Sequence, residues 1–202
     1  MTNRENRTII LGSTSPFRKA LLEKLNISFK TDKPEVDETP LQNETPDKLV
    51  ARLALLKAQA VAERHSNSIV IGSDQVAVFD GEILGKPHTH ENAVKQLSKF
   101  SGNTVTFLTG LTVIDTNSGL TKTLVEPFDV VFKTLTLEMI NQYLYAEKPY
   151  KCAGSFKSEA LGICLFEKLT GDDPNTLIGL PLIKLVGILG EMDYSVLSQQ
   201  SN

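Results

Sequence analysis

The sequence predicts an α/β fold with two lobes on one continuous sheet. Short β-rich apolar runs alternate with segments of helical periodicity, no internal repeat interrupts them, and no linker of domain-boundary character divides them. Residues 8–11 read as the first strand and Gly12-Ser13-Thr14-Ser15 as a tight loop. Ser15 then caps a helix with Pro16 at its first position and Phe17, Leu21 and Leu25 on one face. Thr45-Pro46 opens a second helix in the same way. It runs to about residue 65, with Leu49, Val50, Leu53, Leu56, Ala60 and Val61 as its apolar positions.

Residues 68–78 read as a strand, Asp80-Gly81 as a two-residue hairpin turn and residues 82–84 as the returning strand. Thr89 caps a third helix that runs through Phe100. Two strands at 105–114 and 124–132 flank the turn Asn117-Ser118-Gly119. A helix at 136–145, a strand at 163–169 and a closing helix at 180–189 complete the pattern. Residues 1–7 are expected to form a flexible terminus, 8–190 a single domain of two lobes, and 191–202 a polar tail.

In 202 residues, 21 Lys+Arg stand against 24 Asp+Glu, a formal net charge of −3. Such a balance gives no long-range attraction for phosphates, which disfavours a nucleic-acid binder and leaves a few placed cations or a metal to hold any anion. Cys152 and Cys164 form no Cys-x-x-Cys pair, so the default reading is free thiols in a reducing cytoplasm. The first residues do not read as a signal peptide, and the most apolar segment, 177–189, is too short to span a bilayer and contains Lys184. The expected location is the cytoplasm, with no membrane partner.

Several positions are physically odd. Ser13 and Arg18 flank a helix start, where unpaired N–H groups and a guanidinium fork suit an anion. The spacing is not that of a P-loop, and a capped helix with a solvated arginine has the same signature. Pro34-Glu35-Val36-Asp37-Glu38-Thr39-Pro40 is stiff and acidic. Glu38 shares a face with Val36 in an extended chain, which makes it a candidate ligand for a hard cation, against the reading of a solvated loop. Lys57 interrupts the apolar stripe Val50, Ala54, Val61, so it must snorkel to water or meet a buried anion. Asp74 follows the apolar run Ile69-Val70-Ile71-Gly72-Ser73, where an unpaired charge is costly. Hairpin pairing places Lys86 opposite Gln75, and a bulge at Gly85 is expected to move it towards Asp74. His88 and His90 read as solvated rather than as a metal pair.

Together these segments resemble the Maf family of nucleoside triphosphate pyrophosphatases. The matching pieces are Leu11-Gly12-Ser13-Thr14-Ser15-Pro16-Phe17-Arg18, Val36-Asp37-Glu38, Lys57-Ala58, Gly72-Ser73-Asp74, Leu84-Gly85-Lys86-Pro87, Ser101-Gly102, Thr109-Gly110, Ala153-Gly154 and Gly179-Leu180-Pro181, in the family's order over about residues 8–190. The resemblance implies an elongated mixed sheet flanked by helices, with a nucleotide cleft between two lobes as in ITPase-like folds. It implies hydrolysis of a nucleoside triphosphate to the monophosphate and pyrophosphate with Mg²⁺ or Mn²⁺. Asp74 matches the proton acceptor; Glu38, Lys57 and Lys86 join it as catalytic residues, Glu38 and Asp74 as metal ligands, and Ser13 and Arg18 as phosphate binders. Members are often homodimers.

Ser15-Pro16-Phe17, Asp74-Gln75-Val76, Glu126-Pro127-Phe128-Asp129-Val130 and Phe156-Lys157-Ser158-Glu159 resemble the branch acting on 7-methyl-GTP. In the dTTP/UTP branch Arg, Thr and Gln replace Phe17, Gln75 and Glu159, so these three are the expected base-specificity residues. A cationic methylated guanine suits an aromatic face at Phe17 and a carboxylate at Glu159. Gly12, where the family usually has Ala, is expected to add loop freedom. Two alternatives remain at this point: a dTTP/UTP-type enzyme, and a non-catalytic nucleotide-sensing regulator of septum formation.

Overall fold

The computed structural model describes residues 7–201; the first six positions of the expected flexible terminus, and Asn202, lie outside them. The elements in order are β1 (Thr8–Gly12), α1 (Pro16–Glu23), β2 (Phe29–Asp32), α2 (Pro46–Ala62), β3 (Ser68–Phe79), β4 (Glu82–Leu84), α3 (His90–Phe100), β5 (Thr104–Asp115), β6 (Thr121–Phe132), α4 (Leu137–Glu147), β7 (Phe166–Thr170), α5 (Pro174–Ile178) and α6 (Leu182–Glu191). The described strands form a mixed seven-stranded sheet in the order β2-β1-β3-β5-β6-β7, with β4 on β3. The α/β expectation holds. Contacts divide the chain into two compact units, one comprising the residues up to Gln75, Thr109–Glu126 and from Gly179 on, the other Val76–Leu108 and Pro127–Ile178.

In the first unit β1 runs parallel to β2, from Ile9 beside Phe29 to Gly12 beside Asp32, and parallel to β3, from Thr8 beside Ser68 to Gly12 beside Gly72. Ile9, Ile10 and Leu11 are buried, as are Ile69, Val70 and Ile71, because parallel strands covered on both faces need unbroken apolar runs. β2, a short edge strand of sequence Phe-Lys-Thr-Asp, carries no such signal and escapes a reading by pattern.

Helix α2 lies close on this sheet because glycines leave room for its backbone. A Cβ on Gly72 would stand 2.4 Å from the Ala54 carbonyl oxygen and 2.7 Å from the Ala58 nitrogen, and one on Gly110 would stand 2.2 Å from the Val50 oxygen. Gly12 ends β1 rather than loosening a loop, and a Cβ there would meet Val61 Cγ2 at 3.2 Å. Its role is close approach to the helix, not the conformational freedom expected of it.

At both limits of the described residues, polar side chains are tied to the first unit. Arg7, assigned to the flexible terminus, is buried: Nη1 donates to Asp115 Oδ2 at 2.8 Å and Nη2 to the Met192 carbonyl at 2.6 Å. Past α6, Met192, Tyr194 and Val196 are buried, and Leu197–Ser201 forms a 3-10 turn. Gln200 Nε2 donates to the carbonyls of Leu25 and Asn26, so the polar tail is docked through its amides.

The second unit is built around phenylalanines. Phe100 and Phe132 lie 5.3 Å apart by ring centroids, Phe132 and Phe166 5.4 Å, and Phe156 and Phe166 4.9 Å, the last two edge to face. The Asp80-Gly81 turn has positive φ at both residues and sets the register Ala77 to Leu84, Val78 to Ile83 and Phe79 to Glu82. β4 ends at Leu84, so the ladder stops short of Gly85 and the expected bulge does not form. The strand expected from residue 163 starts at Phe166; Leu161–Leu165 is a 3-10 turn with Ile163 exposed, a short apolar run that periodicity alone cannot separate from a strand.

Candidate active site

The site is built from the loop after β1, the segment after β2, the middle of α2 and the centre of β3. Lys57, on α2, is the focus. It is buried, and its Nζ donates to Asp74 Oδ1 at 2.7 Å and stands 2.9 Å from Glu38 Oε1. The lysine on the apolar stripe therefore meets a buried anion, Asp74, rather than snorkelling, and the carboxylate at the end of an apolar run finds its cation. Glu38 reaches Lys57 from a side chain that is 60% exposed, so it is not pushed inward but leans on the ammonium from outside.

The helix start contributes neutral donors and a second cation. Ser15 Oγ accepts from the Arg18 N–H, and the buried Ser13 presents its Oγ to the Ser15 N–H at 3.1 Å. Arg18 Nε donates to the Gly179 carbonyl at 2.9 Å, and Ser73 Oγ donates to the same oxygen at 2.9 Å. Gly179 has φ of +124°, a conformation strained for any residue with a side chain, and an added Cβ would stand 3.4 Å from Arg18 Nε. Burial pulls the Arg18 pKa down, while the charges of Asp74 and Glu38 oppose that shift.

The arrangement can orient an anion at a helix start, neutralise it with a guanidinium and present an ionised carboxylate to a water molecule. Among the described residues no three His, Cys, Asp or Glu side chains gather as a metal cage. Two carboxylates do converge at Lys57, and each holds it with one oxygen, leaving the other for a hard cation. One or two carboxylates completed by substrate phosphates is the donor set that magnesium takes, so the residues present fit such an ion.

Phe17, expected on one face of α1 with Leu21 and Leu25, is 41% exposed, and the buried Leu21 and Leu22 anchor the helix. Gln75 donates from Nε2 to Thr109 Oγ1 at 2.9 Å. In the second unit, Lys86 is exposed on the segment after β4. That segment is held by α3, where Gln96 Nε2 donates to the Gly85 carbonyl at 3.0 Å and Asn92 Nδ2 to the Pro87 carbonyl at 3.1 Å. Gln96 Oε1 also accepts from the buried Ser155 hydroxyl. Glu159 is exposed beside Ser158, whereas Lys157 is turned to Glu147, with Nζ 3.5 Å from Oε2. His90 is not a solvated surface group: its ring nitrogens meet Tyr150 Oη and Asn141 Oδ1, and its ring stacks on Tyr145.

Sequence reading did not single out Arg52, whose Nη2 donates to the Thr39 carbonyl at 3.1 Å beside Glu38, or Gln96, which holds the segment of Lys86 in the second unit. Both act through bonds to loop carbonyls, for which spacing gives no signal. Ser73 and Gly179 lie within the motifs Gly72-Ser73-Asp74 and Gly179-Leu180-Pro181.

The chain matches the family model described as Maf-like protein over residues 8–192. It is 64% identical over 194 residues, 96% of either chain, to a 7-methyl-GTP pyrophosphatase of Pseudoalteromonas translucida. It is 61% identical over 195 residues, 96% of this chain and 98% of the relative, to a 7-methyl-GTP pyrophosphatase of Colwellia psychrerythraea. Among solved structures, the Staphylococcus aureus Ham1 protein is similar with a TM-score of 0.51 and 16% identity, over 92% of this chain and 100% of that one. That likeness speaks to the fold and agrees with the mixed sheet. No helix among the described residues is long and apolar enough to cross a membrane.

Proposed function

Because the chain belongs to the Maf family, we propose that it hydrolyses 7-methyl-GTP to 7-methyl-GMP and pyrophosphate, removing a modified nucleotide from the cytoplasmic pool. The observation that carries the reading is Lys57: one buried ammonium pairs with two carboxylates beside a helix start equipped with Ser13 and Arg18. Such a set suits attack on a phosphoanhydride, where catalysis is positioning plus charge stabilisation.

In this mechanism water attacks the α-phosphorus in line with the α–β bridging oxygen. Asp74 orients the water and takes its proton, the bond to the bridging oxygen breaks, and pyrophosphate leaves. Lys57 fixes the Asp74 carboxylate through Oδ1. Arg18 and the N–H groups of the helix start receive charge growing on the phosphate oxygens, and we assign Lys86 the same task. Glu38 and Asp74 would hold a Mg²⁺ or Mn²⁺ ion, which when bound supplies further positive charge to the polyphosphate. Phe17, with an exposed ring, is assigned to stack on the cationic methylated base, Glu159 to accept from its N–H edge, and Gln75 to accompany them in base selection.

The test is a panel of natural and modified nucleoside triphosphates with Mg²⁺ or Mn²⁺, scored for pyrophosphate. 7-methyl-GTP should be the preferred substrate, and Phe17→Arg combined with Glu159→Gln should lower the ratio of its kcat/KM to that of dTTP. An unchanged ratio refutes the base assignment, and no pyrophosphate from any nucleotide refutes the enzyme in favour of a nucleotide-sensing regulator.

A further inference from the structure

Glu38 lies on an irregular segment between β2 and α2, and an ion pair with Lys57 does not by itself fix such a segment. The backbone one residue further on is held by α2: Arg52 Nη2 donates to the Thr39 carbonyl at 3.1 Å. The same guanidinium meets Glu44 in a two-pronged pair, Nε to Oε1 at 2.6 Å and Nη2 to Oε2 at 2.7 Å. Glu44 Oε2 also accepts from the Leu41 N–H at 3.0 Å, and the Glu44 N–H donates to the Leu41 carbonyl. The Glu44 side chain is 7% exposed and that of Arg52 23%, so the pair is partly shielded from solvent. Helix α2 thus carries both the ammonium that Glu38 touches and the guanidinium that sets where Glu38 starts from.

We propose that Arg52, locked by Glu44, is a positioning residue that places the Glu38 carboxylate for divalent-cation binding. The inference rests on the proposed pyrophosphatase reading for its kinetic arm alone. The planar two-pronged pairing with the Glu44 carboxylate is guanidinium geometry, which the single point charge of a lysine ammonium does not reproduce.

The test compares wild type, Arg52→Met, Glu38→Ala and the double variant as full-length protein. Hydrogen exchange of residues 38–44 in Arg52→Met should rise about tenfold while that of α2 is unchanged, as expected for loss of charge-assisted bonds to a loop. Mn²⁺ affinity by electron paramagnetic resonance should weaken about tenfold on Arg52→Met alone and less than twofold when Glu38 is already alanine. In turnover, KM for the cation should move more than kcat. Val61→Ala, which loosens α2 packing away from the pair, should lower stability without moving the Mn²⁺ affinity. Unchanged exchange over 38–44, or effects of Arg52→Met and Glu38→Ala on Mn²⁺ affinity that simply add, overturns the proposal. If no nucleotide is hydrolysed, the functional reading fails while the exchange and Mn²⁺ measurements still decide this one.

Discussion

Replacing Gly72 by alanine asks whether the depth of α2 on the sheet sets the geometry of the site. The new Cβ would stand 2.4 Å from the Ala54 oxygen and 2.7 Å from the Ala58 nitrogen. Both are backbone atoms of α2, so no rotamer change relieves them and the helix must retreat by about 1 Å to reach ordinary contact. Lys57 stands between those two residues. Its stem can extend against the retreat to keep Asp74, now 2.7 Å away, but the 2.9 Å approach to Glu38 then changes.

Overpacking of this kind costs about 1–3 kcal/mol of stability. A misplacement near 1 Å at a reacting centre lowers kcat/KM by up to about 100-fold. Urea unfolding and pyrophosphate release measured on the same preparations separate the two effects. Gly190→Ala is the comparison: an added Cβ there meets nothing within 4 Å, and alanine in place of a helical glycine should slightly stabilise the protein with turnover unchanged. A Gly72→Ala protein that loses stability as expected yet keeps kcat/KM within twofold of wild type would refute the link between helix depth and site geometry.

Two further outcomes follow from the ion pairs. Lys57→Met leaves Asp74 buried without its cation, which should cost about 3–5 kcal/mol in urea unfolding, and Asp74→Asn in the same chain should restore part of that loss; Asp74→Asn alone should keep the fold and abolish turnover, and substantial residual activity would remove Asp74 from its role as base. Arg52 holds the Glu44 pKa at about 2, below its usual 4.5, so the pair stabilises the fold above pH 4.5 and that contribution fades as pH falls towards 2. Stabilities of wild type and Glu44→Gln should therefore differ at neutral pH and converge below about pH 2; a constant difference across that range would show that the Glu44 charge is not what the variant lost.

The readable part of the site was the part that broke a pattern. Lys57 interrupts an apolar stripe and Asp74 ends an apolar run, and both anomalies mark charges that must be partnered in the interior. Glu38 stood out through two flanking prolines. What went unread were polar residues in polar surroundings. Arg52 sits on the half-exposed side of α2, its partner Glu44 lies on an irregular loop, and nothing in their spacing distinguishes them from solvated charges. Gln96 is similar: its amide joins the Gly85 carbonyl and the Ser155 hydroxyl, partners brought together by the fold of the second unit. The same reason hid the docking of the polar tail. Pattern reports where apolar surface goes, whereas hydrogen-bond partners depend on tertiary distance.

Charge count in the first unit gives a physical reason for a divalent ion in the proposed reaction. Lys57 and Arg18 bring two positive charges to the site, and Glu38 and Asp74 bring two negative ones within electrostatic reach of both. Arg52 adds nothing to this balance because Glu44 neutralises it. A site so balanced has little net field to draw in a triphosphate carrying several negative charges, and the chain as a whole, at −3, supplies none. Removing Glu38 or Asp74 would leave a cationic surface that binds phosphate more readily, yet it would lose an oxygen donor for a hard cation and, with Asp74, the base. The carboxylates therefore exchange resting affinity for charge that arrives with the metal, and nucleotide binding should depend on that ion more steeply than on any single lysine or arginine.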